Sequence, residues 1–320
     1  MGAVSGVGTT YGLPNYHGEL FTVTPTETPF LSLIGGINGA KVTHAIDFEW
    51  QTIDRRASTA NNAALEGAAA PTAAERSRGS VNNTTEIHQS QIAVSYSKLA
   101  ASGQFSGVNI APEWDDFMAD ELTLQTHAEL ESMAVDIEQS FLSGVYARPG
   151  TNASARGTRG ILTAITTNLQ ANGGTNRALT TTLLDGLFSA MFASGARLTQ
   201  DHTVIMAGPA QALNISNVYA AQATLSQPTM DRNLGGMAIK TITNVFGTFG
   251  VVVNRWMPLH KIAVVDLSAC YPVFLEIPNK GLLFVEPLAK TGATENYQLY
   301  GEVGLEYGPE TYHGLLADIT

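Results

Sequence analysis

The sequence predicts an α+β fold organised around one long helix, and three observations lead there. Residues Ala111–Val145 (APEWDDFMADELTLQTHAELESMAVDIEQSFLSGV) hold nine acids and no Lys or Arg, with apolar residues at helical spacing. The back half is a succession of short β-rich runs separated by Gly, Pro and Asn. The front third is polar and rich in Gly, Ala and Asn, with no sustained helical period.

The helix is the strongest of these signals. Leu130, Met133, Ala134, Ile137, Phe141 and Val145 form its apolar stripe, and Glu113, Asp115, Asp116, Asp120, Glu121, Glu129, Glu131, Asp136 and Glu138 are its acids. Pro112 suits a first helical turn and Gly144 sits near the end. At 1.5 Å per residue such a helix spans roughly 50 Å. A mean globular helix has about 11 residues.

Ahead of it, residues 1–44 read as an extended arm. Pro25 and Pro29 in TPTETPFLSLIGG forbid a long helix, and Phe30–Ile34 is a short apolar patch in need of a docking surface. Lys41–Gln51 alternates, with Val42, His44, Ile46, Phe48 and Trp50 on one face of a strand. Residues 53–86 are a polar tip flanked by Arg55, Arg56, Arg76 and Arg78. Glu86–Ser97 is the returning strand, so residues 45–97 read as a protruding β-hairpin. A disordered loop is the alternative for the tip.

Behind the helix, Arg148–Gly160 is a basic loop and Ile161–Ile165 a short apolar turn or strand. Thr180–Gly195 has a helix pattern, Thr203–Met206 is a buried strand, and Gly208-Pro209 turns into a helix over Ala210–Ala221. Thr241–Val253 reads as a hairpin. Lys261–Asp266, Pro272–Ile277, Gly281–Pro287, Tyr297–Tyr307 and Gly314–Ile319 read as strands.

Composition narrows the function classes. The net charge is −11 and 17 basic residues are thinly spread, whereas phosphate-backbone binding needs clustered Lys and Arg. Charged residues make up 14% of the chain against about 25% in soluble domains, which suggests a surface covered by other chains. No apolar run reaches the roughly 18 residues of a membrane span. Cys270 is alone, which excludes a disulfide framework. MGAVSG has a Gly after Met but fits an unstructured arm better than an acylation signal.

Catalytic constellations are missing. His17, His44, His88, His127, His202, His260 and His313 show no metal-ligand spacing. His127 has Glu131 four residues on, the spacing of a surface pair. Gly6, Gly8 and Gly12 miss the dinucleotide spacing and follow no strand. Ser268 and Cys270 have no base at a recognisable offset. No cofactor and no enzyme activity are expected.

Four segments, in one order along the chain, carry a resemblance. They are TPTETPFLSLIGG (Thr24–Gly36) with FEWQT (Phe48–Thr52); the polar tip with Glu66-Gly67 and QSQIAVSYSKLAASG (Gln89–Gly103); the helix with ELES (Glu129–Ser132) and the Arg159-Gly160 pair before Ile161; and VVNRWMP (Val252–Pro258), IAVVD (Ile262–Asp266) and PLAKTGATENYQLYGEVGLEY (Pro287–Tyr307). Together they resemble the major capsid proteins of tailed phages, with the Hong Kong 97-like capsid fold.

The resemblance implies an N-terminal arm (1–44), an extended loop (45–97), a peripheral domain (98–179) with a spine helix (111–145), an axial domain (180–254), and C-terminal strands (255–320) returning to the peripheral domain. It implies a subunit of pentamers and hexamers in an icosahedral virion shell around double-stranded DNA, assembled in the host cytoplasm. Its expected partners are itself, a portal, a separate scaffolding protein, a decoration protein and the packaged DNA held non-specifically, with no membrane. Covalent Lys–Asn crosslinking, known in some relatives, is not carried over to Lys41.

In this fold the extended loop lies across a neighbouring subunit near its spine. Arg55, Arg56, Arg76 and Arg78 are therefore expected to meet Glu129, Glu131, Asp136 and Glu138 of another copy, and another chain is expected to cover Phe30 and Leu31. An encapsulin-like compartment shell, which shares the fold, and a tail-associated or secreted β-rich structural protein are the alternatives.

Overall fold

The computed structural model describes residues 25–53, 61–72, 76–97, 121–221, 232–234, 237–290 and 292–320. Its contacts divide the chain into two units. The larger comprises Glu27–Gln89, Met133–Phe284 and Tyr300–Thr320; the smaller includes Ser90–Ser132 and Val285–Leu299.

A seven-stranded sheet forms the main core of the larger unit. Its strands are β5 (Leu169–Gln170), β6 (Thr203–Ala207), β7 (Arg232–Leu234), β8 (Met237–Asn244), β9 (Gly247–Val253), β10 (Lys261–Asp266) and β14 (Gly314–Ala317), in the order β5-β14-β10-β6-β9-β8-β7. All five residues of β6 are buried, because β10 and β9 flank it on either side. Helix α4 (Thr181–Ala193) packs its apolar stripe, Leu184, Leu187, Phe188 and Met191, into that core. Thr180 caps α4 by accepting from the Leu183 N–H. Ile215 brings in α5 (Pro209–Ala221). Phe188 stacks on Phe249 with ring centroids 4.6 Å apart.

A second sheet is built on β13 (Thr294–Glu306). It pairs antiparallel with β11 (Tyr271–Leu275), which carries β1 (Lys41–Thr43) in parallel. Strands β12 (Leu283–Pro287) and β4 (Glu86–Ser95) also join β13. Along β4, His88, Ile92 and Val94 face inward while Ile87 is exposed.

The long helix, α2, spans Glu121–Ser143, and residues 111–120 lie outside the described residues. Its 23 residues rise over about 35 Å. Met133, Ile137 and Phe141 are buried as expected, and so is Leu142. Val145 is not: the helix has ended and its side chain is 71% exposed. Gly144 makes that end possible. A Cβ there would collide with the carbonyl oxygens of Ser140 and Thr158.

Three other expectations are corrected, and the open choice between turn and strand at Ile161 is decided for the turn. The strand expected over Lys41–Gln51 is broken into β1 and β2 (Asp47–Ile53), and Val42 and Ile46 are exposed. The strand that returns to β2 is β3 (Arg78–Thr84), not Glu86–Ser97. Sequence pattern misses β3 (RGSVNNT) because it has one apolar residue, and its backbone rather than an apolar face does the pairing. Residues Ile161–Ala164 form a single helical turn, α3, that follows α2 in the chain. The C-terminal strands do not all return to one place: β10 and β14 complete the sheet of β6 and β9, whereas β11 and β13 build the other. The expected boundary at residue 254 therefore cuts through one core.

Candidate assembly interface

The β2–β3 hairpin is anchored at its base and open at its tip. Its register runs from Asp47 opposite Thr84 to Ile53 opposite Arg78. At the base, the Trp50 indole N–H donates to the Gly308 carbonyl at 2.9 Å, and its ring meets Tyr307 edge-on at 4.9 Å. Asn83 is wholly buried and fully bonded. Its amide donates to the carbonyls of Leu305 (2.7 Å) and Arg159 (3.1 Å), and its carbonyl accepts from the Thr84 and Arg159 N–H groups. Gly304 lets Phe48 lie flat there, since a Cβ would come within 2.6 Å of the ring. Residues 61–72 of the tip are all exposed, Leu65 at 87%.

The arginines divide accordingly. Arg76 and Arg78 are exposed, and Arg78 Nη1 reaches Gln51 Oε1 of the facing strand at 3.3 Å. Arg55 and Arg56 lie outside the described residues.

The four helix acids do not share one face. Asp136 is exposed. Glu131 is partly exposed and meets its i+4 neighbour His127 at 3.5 Å. Glu129 accepts from the Ser90 hydroxyl at 2.7 Å. Glu138 is fully buried, so it is no part of an exposed docking face. Its carboxylate accepts the N–H groups of Phe30 (2.9 Å) and Leu31 (2.7 Å), at the start of helix α1 (Pro29–Leu33), and the Asn254 amide (2.6 Å). Burial raises its pKa above the ordinary carboxyl range, against the pull of those three donors.

The arm patch is corrected with it. Phe30 is 0% exposed within its own subunit and Leu31 is partly covered. The arm is further tied by the Trp256 indole N–H, which donates to the Glu27 carbonyl at 2.8 Å, and by an Arg255–Glu27 pair at 3.3 Å. Glu138 and Asn254 were missed as partners because they are 116 positions apart. A lone acid on an apolar stripe was the available signal.

Two further features support the hairpin base. Glu302 is buried and pairs with Arg156 at 2.8 Å. It also accepts from Tyr300 Oη at 2.7 Å, and burial with this bond pushes the phenol up to about 12. The Arg159-Gly160 pair, singled out in the sequence, has a steric reason. A Cβ on Gly160 would sit 2.7 Å from Gly144 N and Ser140 O, so only glycine lets this segment pass the helix end.

His313, Asp266 and Cys270, outside this network, have structural roles. Buried His313 donates from Nε2 to the Tyr307 carbonyl (2.7 Å) and accepts at Nδ1 from the Asp266 N–H, and burial lowers its pKa. Ser268 donates to Asp266 Oδ1 within a capped turn. Burial pushes the Cys270 thiol up, which makes it a packing residue. Among the described residues no group of three His, Cys, Asp or Glu is placed to hold a metal ion, and no helix is long and apolar enough to cross a membrane.

Comparison with known proteins places this arrangement. The fold is similar to the cyanophage A-1(L) capsid subunit (TM-score 0.70, 14% identity, 94% of this chain and 95% of that one). It is similar to the capsid of an empty GTA particle (0.60, 15%, 100% and 99%) and to the SrpI encapsulin of Synechococcus elongatus PCC 7942 (0.60, 12%, 99% and 96%). The architecture is thus the Hong Kong 97-like capsid fold. No curated protein matches in sequence. The SU10 major capsid protein family matches residues 3–320, nearly the whole chain. The chain therefore belongs to the SU10 major capsid protein family, and it is a structural capsid subunit, not an enzyme.

Proposed function

We propose that the protein forms the pentamers and hexamers of an icosahedral virion shell around double-stranded DNA, assembled in the host cytoplasm. The observation that carries this is the β2–β3 hairpin: a braced base with a tip whose described residues, 61–72, are all exposed, on a chain of a capsid family. An isolated two-stranded ribbon is marginal in water. A neighbouring copy supplies the missing surface. Arg76 and Arg78, with Arg55 and Arg56, steer the tip toward Asp136 and Glu131 of that neighbour. The net charge of −11 suits a container from which DNA must slide, since dense phosphate contacts would hold it.

A portal, a separate scaffolding protein and a decoration protein are the further partners of such a shell. Peripheral and axial roles are assigned to the regions around α2 and around β6–β9. An encapsulin-like compartment is the second reading, favoured by the encapsulin of the same fold. Purified full-length protein examined by light scattering and electron microscopy tests the proposal. Closed shells or capsomers are expected, and a monomer at all concentrations overturns it. Nucleic acid inside particles from infected cells separates a virion from a compartment filled with protein cargo.

A further inference from the structure

The chain holds two Asn-Gly pairs, Asn38-Gly39 and Asn172-Gly173, and both asparagines are exposed. Asn-Gly is the dipeptide most open to attack by its own backbone. Glycine has no side chain to keep its amide nitrogen away from the preceding carboxamide carbon. The fold treats the two pairs differently.

At Asn172 the attacking nitrogen is unbonded among the described residues. Residues 172–175 form a turn closed by the Thr175 N–H, which donates to the Asn172 carbonyl at 3.2 Å. Gly173 and Gly174 take its central positions at φ +65° and +81°. The closing bond of such a turn does not use the Gly173 N–H. The peptides on either side are held: Asp318 Oδ2 accepts the N–H groups of Asn172 (2.7 Å) and Gly174 (2.9 Å). The Asn172 carboxamide donates to the Thr175 carbonyl at 2.8 Å, a bond it must give up to react.

At Asn38 the nitrogen is tied. The Gly39 N–H donates to the Gly35 carbonyl at 2.9 Å. The two glycines also touch, since a Cβ on Gly39 would come within 2.9 Å of Gly35 Cα. Turning this nitrogen toward Asn38 Cγ breaks the bond and moves packed backbone. Reaction there waits for local opening.

We infer that Asn172 is a self-modification site of the folded protein, converted to aspartate and isoaspartate, and that the fold protects Asn38. The Gly173 nitrogen gives its proton to solvent base and attacks Asn172 Cγ. A new C–N bond closes a succinimide, and the side-chain nitrogen takes a proton from solvent and leaves as ammonia. Water then opens the ring at either carbonyl. The product puts a carboxylate where the carboxamide donated to Thr175, and adds negative charge close to Asp318. Isoaspartate also lengthens the main chain by one carbon, just after β5 at the end of the seven-stranded sheet. The reaction uses only the folded chain, so its failure leaves the capsid reading untouched.

The test incubates full-length protein at mildly alkaline pH, native and in guanidinium chloride. Peptides are followed by mass spectrometry, and isoaspartate is labelled with an isoaspartyl methyltransferase. In the native protein, conversion is expected to be at least about tenfold faster at Asn172 than at Asn38. In denaturant the two pairs are expected to react at similar rates. Asn172→Gln, whose longer side chain closes the ring poorly, is expected to stay unmodified at that position. Native conversion of Asn38 as fast as that of Asn172 overturns the inference. So does a native Asn172 that stays intact while the denatured chain reacts, or a native ratio no larger than the denatured one.

Discussion

At the scale of single residues, Glu138 carries the most consequence. It replaces a solvated acid with an internal clamp that satisfies the first N–H groups of α1. Glu138→Ala leaves two N–H groups and the Asn254 amide without acceptors, and each buried orphan costs about 1–3 kcal/mol. Denaturant titration is expected to show a loss of that order or more. Glu138→Gln keeps an oxygen acceptor and sheds the buried charge, so its loss is expected to be smaller. A pH series separates charge from shape. The native carboxyl pKa lies above the ordinary value near 4.5, because of burial. Wild type therefore gains stability relative to Glu138→Gln as pH falls through the raised native value, and the gain levels off below pH 4.5. A pH-independent difference between the two would refute the buried-charge account.

His313 has the opposite sign. Burial depresses its native pKa below the ordinary 6.5, and both ring nitrogens are committed in the neutral form. Its contribution is complete above pH 6.5 and is lost as pH falls toward the depressed value. His88 is shifted the same way, again chiefly by burial. In a Glu138→Gln background, stability is expected to fall on acidification below pH 6.5, and His313→Gln is expected to flatten that fall. An equally steep fall in the double variant would locate the acid sensitivity elsewhere.

At the scale of elements, the long helix and the hairpin depend on different physics. Helix α2 is held by its buried stripe. Ile137→Asp places an unpaired charge at a site 6% exposed, at a cost of several kcal/mol. Insoluble or unassembled protein is expected, and normal particles would refute the packing of this face. The hairpin holds by ladder bonds and by its base, with Trp50, Asn83 and Gly304 as anchors. The sequence gives the existence of the helix through periodicity, and periodicity needs only local spacing. It places the returning strand eight residues late, at Glu86 instead of Arg78, because β3 buries almost nothing that a pattern could register.

At the scale of the whole molecule, assembly is the property to measure. Reversing Arg55, Arg56, Arg76 and Arg78 to Glu is expected to leave the circular dichroism spectrum unchanged and to slow or block shell formation. Each exposed pair contributes only about 0–1 kcal/mol, but a ring repeats it at every subunit. Raised ionic strength is expected to narrow the gap between wild type and the quadruple variant. Equal assembly rates in low salt would mean that backbone and apolar contacts hold the hairpin.

The sequence by itself determined the α+β class, the long helix, the buried strand read over Thr203–Met206 with its flanking helices, the polar tip and the capsid family, because each rests on local periodicity, turn chemistry or an ordered set of short motifs. Only the tertiary structure decided what each acid does. Glu129, Glu131, Asp136 and Glu138 lie within ten positions, yet one binds a serine, one a histidine, one faces water and one is sealed under the arm. It also decided that β10 and β14 complete the core of β6, and that glycines at 144 and 160 let the chain pass close to the helix end. The physical reason is common to all of these. Burial and close approach are set by which segments the fold brings together, at separations from four positions for His127 and Glu131 to 116 for Glu138 and Asn254, and side-chain periodicity does not encode them.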